Sequence, residues 1–152
     1  MNIFDALENG KNHFPEKEAI LFAGESIVYH DLHARSCRLS AALKEVGDLH
    51  PGDRVALFLP NRPEFIVSYF AVVRLGAIAV SLNVMLKRGE VKLILNDCAA
   101  KLLITTSQLL DQVPEPSEIP SVKKVLCTDK SERVGVLELD SLPTLADAKA
   151  AA

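Results

Sequence analysis

The sequence predicts an α/β fold: a mostly parallel, doubly wound sheet with flanking helices and a small N-terminal β-hairpin. Three observations lead there. Continuous apolar runs such as Val55-Ala56-Leu57-Phe58-Leu59 suit strands covered on both faces. These runs alternate with segments of helical spacing, the rhythm of crossovers in a parallel sheet. Apolar residues make up 49% of the 152 residues but aromatics only 5%, with no Trp, so the core must be built from Val, Leu, Ile and Ala.

The elements follow in order. Residues 19–22 and 26–29 flank Ala23-Gly24-Glu25, a short loop with glycine where a hairpin needs an unusual backbone angle. From Asp31 the spacing is helical, with Leu32, Leu39, Leu43 and Val46 on one face, and Gly47 is expected to supply the left-handed stop. Pro51-Gly52-Asp53 is a turn into the strand at 55–59. Asn61 is expected to cap the next helix, with Pro63 where no amide is needed and Glu64 three residues on. Its buried stripe is predicted to be Phe65, Tyr69, Val72 and Val73, each contributing roughly 1.5–3 kcal/mol if fully buried. The helix ends at Leu75-Gly76.

A strand at 77–82 follows, then a polar loop at 83–89, a short helix at 90–96 and a strand at 102–105. A brief helix at 107–112 and a Pro-rich link at 113–120 lead to a strand at 122–127. Beyond Thr128 the pattern weakens. Residues 134–139 read as strand or loop, and 142–152 as a helix without a committed core partner.

Composition excludes several function classes. Seventeen basic against twenty acidic residues give a net charge of -3 with no basic block, which argues against nucleic acid as a partner. The first 14 residues carry Asp5 and Glu8 and have no long apolar run, so neither a signal peptide nor a membrane anchor is expected. The longest nearly uncharged stretch, 65–73, is too short to span a bilayer, and a cytoplasmic protein is expected. Cys37, Cys98 and Cys127 are far apart and form no Cys-x-x-Cys pattern, which predicts reduced core thiols. His13, His30, His33 and His50 are scattered without further ligands, so they are expected at the surface and no metal site is predicted.

Four stretches in order carry a resemblance. Phe14-Pro15-Glu16-Lys17-Glu18-Ala19 is similar to an "FPDKPA" start, and Val28-Tyr29-His30-Asp31-Leu32 to an "LTYxEL" motif. Residues 51–56 leading into Leu59-Pro60-Asn61-Arg62-Pro63-Glu64-Phe65 resemble "GDRVAL…PNSPEF", and residues 74–83 resemble "xxAGAVxVPLNP". Each is weak alone, but the set covers 14 to about 105 at the right distances. The chain thereby resembles the opening of the adenylate-forming superfamily, which includes acyl-CoA synthetases, luciferases and peptide-synthetase adenylation domains. Asn83, where peptide-synthetase domains usually have Asp, favours the acyl-CoA branch. Ser81 in place of the usual Pro, and Val84-Met85 in place of a common Pro-Arg, are departures.

The resemblance implies that residues 1–152 are the N-terminal subdomain of such a ligase, without its catalytic body or C-terminal lobe. It implies ATP, Mg²⁺, CoA and a fatty or aryl carboxylic acid as what the whole parent enzyme uses. No catalytic residue is expected in this chain. The glycine-rich phosphate loop "TSGTTGxPKG" has no counterpart, since Ile104-Thr105-Thr106-Ser107 lacks glycine and a following Lys. The chain alone is therefore expected to be inactive. Lys87 and Arg88 are the only candidate cofactor-binding residues: some CoA ligases place an arginine in this loop against the CoA phosphates, and Met85 stands at the matching position.

Two alternatives stay open. One is an acyl-AMP ligase that delivers to a carrier protein. The other is a stand-alone flavodoxin-like binding domain without catalysis, for which Leu59-Pro60-Asn61 offers neither glycines nor paired acids. A lobe parted from its body would expose a sheet edge and apolar surface, so a homo-oligomer is expected.

Overall fold

A computed structural model describes residues 1–142 of the protein. The chain opens with helix α1 (Ile3–His13), a hairpin of β1 (Glu18–Phe22) and β2 (Glu25–Val28), and helix α2 (Tyr29–Gly47). Strand β3 (Arg54–Phe58), helix α3 (Pro63–Arg74), β4 (Ile78–Ser81), α4 (Arg88–Asp97), β5 (Leu102–Thr105), β6 (Lys124–Cys127) and β7 (Val136–Glu138) follow, with short 3₁₀ turns after β5 and β7. The last five strands form one parallel sheet in the order β4-β3-β5-β6-β7. Residues 134–139, legible from sequence only as strand or loop, contribute its edge strand β7. The helix expected at 142–152 lies, but for Leu142, outside the described residues.

Alternation along the strands builds two cores. Val55, Leu57, Leu102 and Ile104 face α2 and α3, where Leu39, Leu43, Ala71 and Val72 complete the packing. Ala56, Phe58 and Leu103 face the other way, onto Val91 and Leu95 of α4 and Leu110. Residues buried on both sides of a strand explain why these runs read as unbroken apolar segments.

Helix α1 was not expected. Asn2 caps it, its Oδ1 accepting from Phe4 N–H at 3.1 Å while the Asp5 carboxylate accepts from Asn2 N–H at 2.8 Å. Phe4 and Leu7 pack with Ile27 and Leu32 in a third, outer cluster.

Local corrections have local causes. The left-handed residue after α2 is Asp48 (φ 46°), and Gly47 is the last helical residue. Glycine is needed at 47 for room, because a Cβ there would lie 2.6 Å from Leu102 Cδ1. The cap of α3 is Arg62, with no side-chain bond, so Asn61 lies one residue too early. Phe65, Tyr69 and Val73 are half-buried, and Ser68, Ala71 and Val72 form the buried face of α3. Gly76 does adopt a left-handed angle (φ 72°) between α3 and β4. The hairpin turns through Ala23 (φ 51°) and Gly24 (φ 80°), the paired positive angles of a two-residue loop, and Tyr29 belongs to α2.

Asp53 and Lys101 pin the entrances of β3 and β5. The Asp53 carboxylate accepts from His50 N–H at 2.8 Å and from Lys101 Nζ at 3.0 Å, and these bonds hold its pKa below the usual carboxylate value. A depressed carboxylate pKa adds stability above the unfolded value that is lost as pH falls through the folded one. Asp53→Asn should therefore lower stability at neutral pH and flatten its decline below about pH 4, as read by urea unfolding across pH. An unchanged acid profile would contradict this role.

Candidate functional site

The chain leaves β3 through α3 to β4 on one side and returns through α4 to β5 on the other, so the winding reverses between β3 and β5. In doubly wound sheets, ligands bind outside the carboxyl ends of the strands at such a reversal. The crevice there measures about 80 Å³. Leu59, Pro60, Arg62 and Glu64 line it from beyond β3, Thr106 from just after β5, and Thr128 and Asp129 from just after β6.

Asp129 is the organised group of this crevice. One carboxylate oxygen accepts from Ser107 N–H (2.8 Å) and from the Cys127 thiol (3.0 Å), and the other accepts from the Ser107 hydroxyl (2.5 Å). Partial burial opposes its ionisation, but the bonds from Cys127 and Ser107 outweigh it and hold the pKa below the ordinary value. The thiol moves oppositely. Burial first, and the bond to Asp129 next, push Cys127 up to about 11. At pH 8 it should carry on the order of a hundredfold less thiolate than an ordinary thiol. Native alkylation at pH 8 should modify the more accessible Cys37 and Cys98 well before the buried, thiolate-poor Cys127, as mass spectrometry would show. Early modification of Cys127 would refute this geometry.

The loop candidates lie elsewhere, at the start of α4. Arg88 is engaged: its guanidinium donates to Glu118 Oε2 at 3.0 Å and to the carbonyl of Val113 at 3.3 Å, tying α4 to the Pro-rich link. The Glu115 amide and Arg88 together hold the Glu118 carboxyl below its usual pKa. Lys87 presents an exposed side chain, while its backbone N–H donates to Glu90 at 2.8 Å. Met85 is exposed beside them, in a turn closed by its N–H on Asn83 Oδ1.

His33 does not stand free at the surface. It packs 5.4 Å from the Phe4 ring, 3.9 Å from Glu8 Oε1 and 3.8 Å from Cys37 Sγ. Burial, then Lys11, hold its pKa below the ordinary value against the pull of Glu8. Cys37 and Cys98 are half-buried, so only Cys127 is a fully buried thiol. Among the described residues no group of three or more His, Cys, Asp or Glu could hold a metal ion, and no helix is long and apolar enough to cross a membrane.

This geometry orders strand ends and a connecting loop, and fold alone does not assign a reaction to them. Comparison with known proteins does define a class. Residues 7–152 match the family described as AMP-binding enzyme, and the chain belongs to that family. It is 34% identical over 115 residues to a long-chain-fatty-acid–CoA ligase of Bacillus subtilis (strain 168), covering 76% of this chain and 20% of that protein. It is 37% identical over 95 residues to a 3-hydroxybenzoate–CoA/4-hydroxybenzoate–CoA ligase of Thauera aromatica, covering 62% and 18%. Its fold superposes on the anthranilate CoA ligase AuaEII, solved with anthranoyl-AMP, with a TM-score of 0.87 at 26% identity, over 93% of this chain and 27% of that one. The chain thus spans about a fifth of the curated relatives' length. It corresponds to the N-terminal part of an adenylate-forming ligase.

Proposed function

We propose that these residues form the N-terminal lobe of an ATP-dependent, AMP-forming acyl-CoA synthetase acting in the cytoplasm on a fatty or aryl carboxylic acid. The observation that carries this reading is the 34% identity to the B. subtilis long-chain ligase across three quarters of the chain. In the reaction, a carboxylate oxygen attacks the α-phosphorus of MgATP, the new O–P bond forms, and pyrophosphate leaves with the broken bond's electrons. The CoA thiolate then attacks the acyl carbon, forming C–S and releasing AMP. The first step needs donors and Mg²⁺ where negative charge develops on the phosphates.

The 152 residues contribute scaffold and one loop to that chemistry. Without a glycine-rich phosphate loop they bind neither MgATP nor CoA tightly by themselves and form no acyl-adenylate. Lys87 is the residue we assign to the CoA phosphates, since its ammonium is exposed; Arg88, tied to Glu118, sets the loop's position beside it. The lobe on its own self-associates.

Acid-dependent exchange of pyrophosphate into ATP tests the first half-reaction. The complete protein carrying this lobe should support it, and residues 1–152 alone should not. Absence of exchange with every fatty and aryl acid tried would remove the reading. Exchange without any CoA thioester would assign delivery to a carrier protein instead. Lys87→Glu should raise the KM for CoA and leave the exchange rate unchanged.

A further inference from the structure

Among the described residues the sheet has two open edges, and they are built differently. Strand β7 is three residues long, ends in Glu138, and lies between Arg133 and Asp140. Charge on a short edge strand is a usual guard against strand addition. The opposite edge, β4, has no such guard. From Leu75 to Leu86 there is no charged residue and no proline, and Ile78 is 51% exposed, Val84 37% and Met85 75%.

The ladder shows which groups of β4 are free. Ile78 N–H donates to Asp53 and Leu82 N–H to Leu57, both on the β3 side. Bonds in a parallel ladder engage alternate residues, so Ile78, Val80 and Leu82 turn toward β3. The N–H and C=O groups of Ala79 and Ser81 then point to the open edge, where β4 pairs with no further strand among the described residues.

We propose that this edge is a self-docking surface, on which a second copy of the chain adds its own β4 antiparallel about a two-fold axis at Val80. This deepens the self-association proposed above by naming its surface. The occupant is a second copy because an uncharged strand meets its own copy without repulsion, and a two-fold makes one patch serve both sides. With the axis at Val80, Ala79 exchanges both backbone bonds with Ser81 of the second copy, and Ser81 with its Ala79. Val80 lies opposite its own copy, and Ile78 lies opposite Leu82. The exposed Ile78 side chain, which shares a face with Val80 and Leu82, is thereby covered.

Sedimentation velocity of the 152-residue chain from low to high micromolar concentration tests the surface. The wild type should shift from monomer to dimer. Ser81→Lys, which places like charges near the axis, should remain monomeric with an unchanged circular dichroism spectrum. Ala79→Pro should do the same, because its lost N–H is one that β3 does not use. Val80→Cys should give an oxidised dimer whose cross-link maps to position 80, since residues opposite on the axis approach within disulfide reach. A wild type that stays monomeric would overturn both self-association and this surface, leaving the edge to a strand from elsewhere in a longer protein. A dimer that survives Ser81→Lys and Ala79→Pro in folded form would overturn the surface alone.

Discussion

Phe58→Ala is expected to destabilise the chain by about 3–5 kcal/mol. Phe58 is fully buried at the carboxyl end of β3, packed with Val91 and Leu95 of α4 and with Leu103. Truncation removes the transfer free energy of a ring and leaves a cavity that the neighbouring strands, bonded on both sides of β3, cannot close. Domains of this size have roughly 5–15 kcal/mol in total, so the loss is a large share. Urea unfolding should show a lower midpoint with an unchanged slope. A loss under about 1 kcal/mol would mean that the α4 face of the sheet is not packed as described.

Gly47→Val is the second large effect, and two opposed terms decide its sign. Replacing a helical glycine by a residue with a side chain gains up to about 0.5–1 kcal/mol in backbone entropy. Against that, a Cβ at 47 meets Leu102 Cδ1 at 2.6 Å and Cδ2 at 3.0 Å, and Leu102 is itself fully buried and cannot swing away. Overpacking of this kind costs about 1–3 kcal/mol, and the branched side chain adds to it at the end of a helix. The expected net result is a loss, read as a lower melting temperature. A gain would show that α2 can lift off β5 at little cost.

The contrast between these residues shows what could be read from the sequence. Phe58 sits in a run whose apolar character is dictated by burial on both sides, so β3 and the parallel sheet were legible. Gly47 was legible as a glycine at a helix end, but its reason was not. The stop falls to Asp48, and the glycine answers to Leu102, 55 positions away, which no local rule records. Helix α1 was missed because its own pattern is thin. Its capping pair, Asn2 and Asp5, stands in the sequence, yet only Phe4 and Leu7 are buried, and a tertiary bond from Asn2 Nδ2 to Val73 carbonyl (2.6 Å) helps fix it.

The crevice follows the same logic. In the sequence Thr106 and Ser107 read as part of a stretch that lacks a phosphate loop's glycines, and Asp129 carries no local mark. The bonds between Ser107 and Asp129 join residues 22 apart at the ends of neighbouring parallel strands. Spacing in the sequence carries no mark of that meeting, because it depends on β5 and β6 lying side by side. A pair of hydroxyl or acidic residues directly after two buried strands was the available signal. Lys87 and Arg88, by contrast, stand out as basic neighbours of Met85, the residue at the family position, and the structure distinguishes them: one exposed, one held by Glu118.

The most direct test of the central reading is product analysis on the complete protein carrying this lobe. It would be incubated with MgATP, CoA and either a long-chain fatty acid or a hydroxybenzoate, and the products separated by chromatography with mass detection. The account predicts an acyl-CoA thioester and AMP in equal amounts from one of the acids. Acid-dependent formation of ADP in place of AMP, or no nucleotide cleavage with either acid class, would contradict it.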